Sequence, residues 1–325
     1  MIPPSIMPNC SLALALLIAT AQAFGADVYP AKTVRLIVPW APGGSTDLLA
    51  RAVGQKLAEN WKQPVVVDNR PGASGNIGSD LVAKSVPDGY TLLVGSMSTH
   101  VMNPALFDKM PFQGVDDFEP VALMAYVRNV LVTHPSLPPN SVKELIALAR
   151  SQPGKISYAS AGVGSTNHLC AELFRKMARV DIFHVPYKGG GPAVVDLVGG
   201  QVMMFFTGYT NVAQHVNAKR LKLLAVTESK RAPYLPDVPT VAETLPGYEM
   251  AVYYAMFAPK GTPRAIVDQL NSEVNRALAL PDVNQRLTAI GAEPDAISPG
   301  ELAKILHADL AKWTKIIHEI GAKAE

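Results

Sequence analysis

The sequence predicts an α/β chain built as two similar halves, each a mostly parallel sheet flanked by helices. Three observations carry this. Short β-branched runs alternate with apolar-periodic runs at the spacing of βαβ units. The pattern stops at Phe118-Glu119-Pro120 and then restarts. Long amphipathic helices close the chain and suit packing back on the first half.

In the first half, a strand over 33–39 ends in the glycine turn Pro42-Gly43-Gly44 and leads to a helix carrying Leu48, Leu49, Ala52, Val53 and Leu57. Val65-Val66-Val67 forms a second strand, followed by a turn at Asn69-Arg70-Pro71-Gly72 and a helix with Ile77, Leu81 and Val82. Residues 90–95 form a third strand after the turn Pro87-Asp88-Gly89. In the second half, 121–126 and 130–132 read as strands and 142–150 as a helix. The strand 156–159 leads through Ser160-Ala161-Gly162-Val163-Gly164-Ser165 to a helix over 166–177. A strand 182–185, a helix 192–197 and strands 202–206 and 221–226 follow. The tail supplies a strand at 253–258 and helices over 263–279 and 299–322. With similar halves, a ligand sits most naturally between them, at the carboxyl ends of the strands.

Composition removes several function classes. The 325 residues suffice for two domains, and 48% apolar residues exclude a disordered or fibrous chain. Lys and Arg number 29 against 27 Asp and Glu, so the net charge of +2 gives no field to hold nucleic acid. Two cysteines, Cys10 and Cys170, fit neither a metal cluster nor a disulfide framework. Residues 1–26 carry no Asp, Glu, Lys or Arg, and an apolar run ends in Ala21-Gln22-Ala23, which is the pattern of a secretory signal cleaved near 23–26. That run is too short to span a membrane, which takes about 20 residues. Cys170 then remains as the lone thiol and reads as a small buried apolar residue.

The chemistry lies in three glycine turns that open helices. Pro39 to Asp47, Ser160 to Thr166 and Tyr187 to Pro192 each expose backbone N–H groups at the positive end of a helix dipole, which suits an anion. Each also fits a tight turn with an N-cap serine or threonine. Their only fixed charges are Lys188 and Asp47, so a small carboxylate held by amides and hydroxyls fits better than a polyphosphate. Trp40 either walls off a ligand or belongs to the core, and His168 either touches a ligand or makes a structural hydrogen bond. No nucleotide fingerprint, nucleophile elbow or metal-spaced histidine pair occurs, so no cofactor and no metal are expected.

Asn69-Arg70-Pro71-Gly72-Ala73-Ser74-Gly75-Asn76-Ile77-Gly78, Pro87-Asp88-Gly89-Tyr90-Thr91, Val185-Pro186-Tyr187-Lys188-Gly189 and the Pro42-Gly43-Gly44-Ser45-Thr46-Asp47 turn together resemble the periplasmic solute-binding proteins of tripartite tricarboxylate transporters, the Bug or TctC family. The likeness covers essentially the whole mature chain. It implies a two-domain periplasmic-binding-protein fold of the Venus flytrap type, with crossing hinge strands, capturing a small organic acid without turnover. The ligand passes to the membrane permease subunits, and the receptor acts as a monomer. The implied domains are 27–128 plus 254–325 and 129–253, hinged near Arg128 and Tyr254. Carried over residue by residue, Pro42, Gly43, Gly44 and Asp47 form the first grip, Ser160, Gly164, Ser165, Thr166 and His168 the second, and Tyr187 the far side.

One departure stands out. Met203 and Thr207 occupy positions where the family often has acidic residues; with Thr207 near the pocket, recognition of an amino group weakens, which points to non-amino carboxylates. Two rival readings remain: an exported α/β hydrolase using Ser165 with His168, and a receptor presenting its ligand to a sensor.

Overall fold

In the computed structural model, residues 29–321 are described; the expected signal segment lies outside them. The first half opens with β1 (Val34–Val38), α1 (Ser45–Trp61), β2 (Val65–Asn69), α2 (Asn76–Ala83) and β3 (Thr91–Ser96). A π-helical turn, Ser98–Met102, runs into the short α3 (Asn103–Leu106), and β4 (Phe118–Val127) follows. The second half holds β5 (Asn129–Thr133), α4 (Val142–Ser151), β6 (Ser157–Ser160), α5 (Thr166–Ala178), β7 (Phe183–Pro186), α6 (Gly190–Val198), β8 (Met204–Gly208), α7 (Tyr209–Asn217) and β9 (Lys222–Val226). The chain then returns through β10 (Val252–Pro259), α8 (Arg264–Ala279), α9 (Pro281–Ala289), β11 (Ala292–Glu293) and α10 (Pro299–Ile320).

Two sheets result, ordered β11-β4-β10-β3-β1-β2 and β7-β6-β8-β5-β9. The βαβ expectation holds within β2-β1-β3 and β7-β6-β8, which are parallel. The remaining pairs are antiparallel, so both sheets are mixed. The reason is topological. β4, β5 and β10 lead to or from the other half, so no crossover helix fixes their direction.

Local chemistry places the boundaries. Ser141 caps α4 by accepting from the Glu144 amide, and Ser298 with Glu301 forms a reciprocal capping box at α10. Gly321, in the left-handed region, closes α10 at its other end. All eight residues of β10 are buried, because this strand lies between β3 and β4. Burying each large apolar side chain there contributes about 1.5–3 kcal/mol.

Arg128 is the single residue between β4 and β5, and the second crossing lies between Val226 and Val252. The expected hinge at Tyr254 therefore falls inside a paired strand, opposite Ser96 and Ala125. At the first crossing, the Arg128 guanidinium donates to both carboxylate oxygens of Glu293 at 2.8 and 3.1 Å, and its carbonyl accepts from the Tyr209 amide at 2.8 Å. Four of these elements escaped the sequence reading: α3 with the π-helical turn before it, α7, α9 and the two-residue β11.

Candidate functional site

The turn after β1 is built around Asp47. Its carboxylate accepts from the Gly43 amide at 3.1 Å, from Arg51 Nε at 3.0 Å and from Asn69 Nδ2 at 3.0 Å. Burial raises its pKa, but those hydrogen bonds outweigh burial and hold the carboxyl below its ordinary range. Gly43 takes a positive φ of 85°, which a side chain would strain. The turn after β6 is held by a histidine instead. His168 Nδ1 accepts from the Gly164 amide at 3.1 Å, so that nitrogen carries no proton. The His168 ring stacks on His184 at 4.3 Å, and His184 in turn stacks on Tyr158 at 4.9 Å. Burial lowers the pKa of His168, and burial followed by the charge of His168 pushes His184 down to about 4.

These two turns aim α1 and α5 at one compartment. It is lined by Gly44, Ser45 and Thr46 at the start of α1 and by Ser165, Thr166 and Asn167 at the start of α5. Gly190, opening α6, and Asn211, in the first turn of α7, add two further helix starts. Trp40, Ser96, Ser98, Ala161 and Tyr254 complete the wall. Among the described residues, the N–H groups of Ser45, Thr46, Thr166 and Asn167 have no protein acceptor. Helix starts leave such donors open, and each carries roughly half a positive charge. The compartment measures about 30 Å³ and its lining has no ionisable acid or base except the Tyr254 phenol, which burial pushes up to about 12. A compact anion such as one carboxylate matches it.

A larger compartment of about 280 Å³ adjoins this one, sharing Trp40 and Ala161 as a common wall. Gly72, Ala73, Ser74 and Phe107 line it from the first half, and Gly162, Val163, Tyr187 and Lys188 from the second. The halves touch across the cleft. The Ala41 amide donates to the Lys188 carbonyl at 3.0 Å, and Ser45 Oγ shares a 2.5 Å hydrogen bond with Thr210 Oγ1. Ser74 Oγ donates to the Val163 carbonyl. Ala73 and Ser74 carry positive φ values of 44° and 54°, a conformation disfavoured for side-chain-bearing residues.

The expected site residues divide three ways. Gly44, Ser165 and Thr166 line the inner compartment, Tyr187 the outer one and Trp40 both. Pro42, Gly43, Asp47, Gly164 and His168 shape the turns without lining either space. Ser160 and Thr207 stand one step back. Ser160 Oγ bonds His184 Nε2 at 2.6 Å, and Thr207 Oγ1 accepts from Asn211 Nδ2 at 2.9 Å. Neither Met203 nor Thr207 lines either compartment, so the argument from that departure does not act at the wall. The hydrolase pairing also fails. Ser165 Oγ donates to the Gly162 carbonyl and caps α5, while His168 turns its Nδ1 to Gly164. Among the described residues no base reaches the hydroxyl. Ser96, Ser98, Phe107, Asn211 and Tyr254 were missed, since none sits in a glycine turn. Only the placement of 253–258 as a strand entering from the other half pointed to Tyr254.

Among the described residues no group of His, Cys, Asp and Glu could hold a metal ion, and no helix is long and apolar enough to cross a membrane. Comparison with known proteins agrees with the geometry. The chain is 40% identical to the protein BugT of Bordetella pertussis over 300 residues, 92% of each chain. An R. palustris protein solved with adipate superposes with a TM-score of 0.88 at 40% identity, covering 91% of this chain and 99% of that one. The periplasmic binding protein BugD superposes with a TM-score of 0.87 at 34% identity, covering 91% of this chain and all of that one (100%). A family model described as the tripartite tricarboxylate transporter family receptor matches residues 49–322. The family is one of solute-binding receptors and not of enzymes, and the chain belongs to it.

Proposed function

We propose that this protein is a periplasmic receptor that captures a small organic carboxylate between its halves and delivers it to the membrane subunits of a tripartite tricarboxylate transporter. The carrying observation is the convergence of α1 and α5 on one carboxylate-sized compartment, each with two unengaged N–H groups. Capture requires no basic side chain, because the helix starts supply both donors and positive potential. The adipate-bound relative supports the ligand class, and the expected signal segment and the periplasmic relative support the compartment. On this reading the protein works as a monomer of two domains joined at the crossings, with the contacts across the cleft formed in the closed state.

Thermal shift against mono- and dicarboxylates tests this. A ligand at about 100 times its Kd stabilises the fold by about 2.7 kcal/mol. Gly44 has an ordinary negative φ, and a Cβ there points within 3.7 Å of the Gly190 amide. Gly44→Val is expected to keep the fold and abolish the shift by wedging the two helix starts apart. A full shift in that variant removes the α1 start from the site.

A further inference from the structure

Resting on the receptor reading above, we propose that the outer compartment selects ligands by their body and admits an aromatic carboxylate in preference to short hydroxy- or amino-acids. The inner compartment, about 30 Å³, accepts little beyond the carboxylate itself. Everything else in the ligand lies in the adjoining space of about 280 Å³.

That space is walled chiefly by carbon. The Trp40 and Phe107 side chains line it, with Ala161 and Val163 beside them. The Phe107 ring lies beside Gly164, where an added Cβ would meet it at 3.3 Å, so an aromatic of the first half is held close to the second. The Trp40 ring lies beside Gly75 in the same way, at 3.1 Å. Flat aromatic bodies gain from stacked or edge contacts with such rings beyond the area they bury.

Its two hydroxyl groups are already engaged. The Tyr187 hydroxyl donates to Asp196 at 2.8 Å, and the Ser74 hydroxyl donates to the Val163 carbonyl. A hydroxyl on the ligand body would lose water and find both wall hydroxyls committed to other acceptors. Neither compartment is lined by an Asp or Glu, and the only lining group with a fixed charge is the cation Lys188. The ammonium of an amino acid therefore meets no counter-charge. Met203 and Thr207, which line neither compartment, take no part in this.

Calorimetric titration with benzoate, adipate, malate and aspartate tests the inference, repeated on Phe107→Leu and Phe107→Tyr. Benzoate is expected to bind at least about tenfold more tightly than malate or aspartate, and more tightly than adipate. Phe107→Leu keeps apolar volume and removes the ring, so benzoate weakens about tenfold while adipate stays within about twofold; Phe107→Tyr keeps the ring and the benzoate affinity. Adipate, malate or aspartate binding as tightly as benzoate overturns the inference and leaves the receptor reading intact. So does a Phe107→Leu protein, folded by its melting curve, that holds benzoate unchanged. Binding of none of the four acids contradicts the receptor reading itself.

Discussion

Asp47 sets the geometry of the turn that opens α1, and it lines neither compartment. Its carboxylate gathers a backbone amide, an amide side chain and a guanidinium around the start of α1. Asp47→Ala leaves the Gly43 amide and Asn69 Nδ2 short of an acceptor. The expected cost is about 1–3 kcal/mol in denaturant unfolding, with weaker carboxylate binding measured on the folded variant. Unchanged affinity would show that the α1 start keeps its aim unaided. The motif places Asp47 in the first turn of α1 and among the gripping residues, but it shows which residues sit together and not which way a side chain turns. For His168 the sequence leaves ligand contact and a structural hydrogen bond both open, and the Gly164 amide supplies the structural bond.

At the scale of elements, the glycine turns and β-branched runs were legible because their signals are local. Gly44, Ser165, Thr166 and Gly190 all lie at turns that the sequence marked as helix starts. Asn211 and Tyr254 were not legible as site residues. One sits on α7, which follows β8 without a break in pattern, and the other arrives on β10 from far along the chain. The stack on α5 and β7 gives a pH prediction. His184, ordinarily near 6.5, is pushed down to about 4 by burial and by His168. Between these values the unfolded chain binds a proton that the folded chain does not, so stability falls as pH drops through about 6.5 to 4. Glu228, just past β9 at the second crossing, has the opposite sign. Burial raises its carboxyl to about 7, so its contribution is complete below about 4.5 and is lost as pH rises through 7. Melting curves across this range are expected to flatten on the acid side in His184→Gln and on the neutral side in Glu228→Gln. Unchanged slopes in both would remove these groups from the pH dependence.

Over the whole molecule, two mixed sheets meet at a cleft whose walls come from both, and the first crossing between them is the single residue Arg128. Hydrogen bonds from Ser45, Ala41 and Ser74 span that cleft. X-ray scattering is expected to give a smaller radius of gyration with a bound carboxylate than without one; equal values would mean that the cleft is closed in both states. The central claim is that open amides at facing helix starts capture the acid. Amide-resolved NMR during titration tests it most directly. A bound carboxylate is expected to move the Ser45, Thr46, Thr166 and Asn167 amide protons downfield together, as new hydrogen bonds form. Saturable carboxylate binding that leaves those four signals in place would contradict the account.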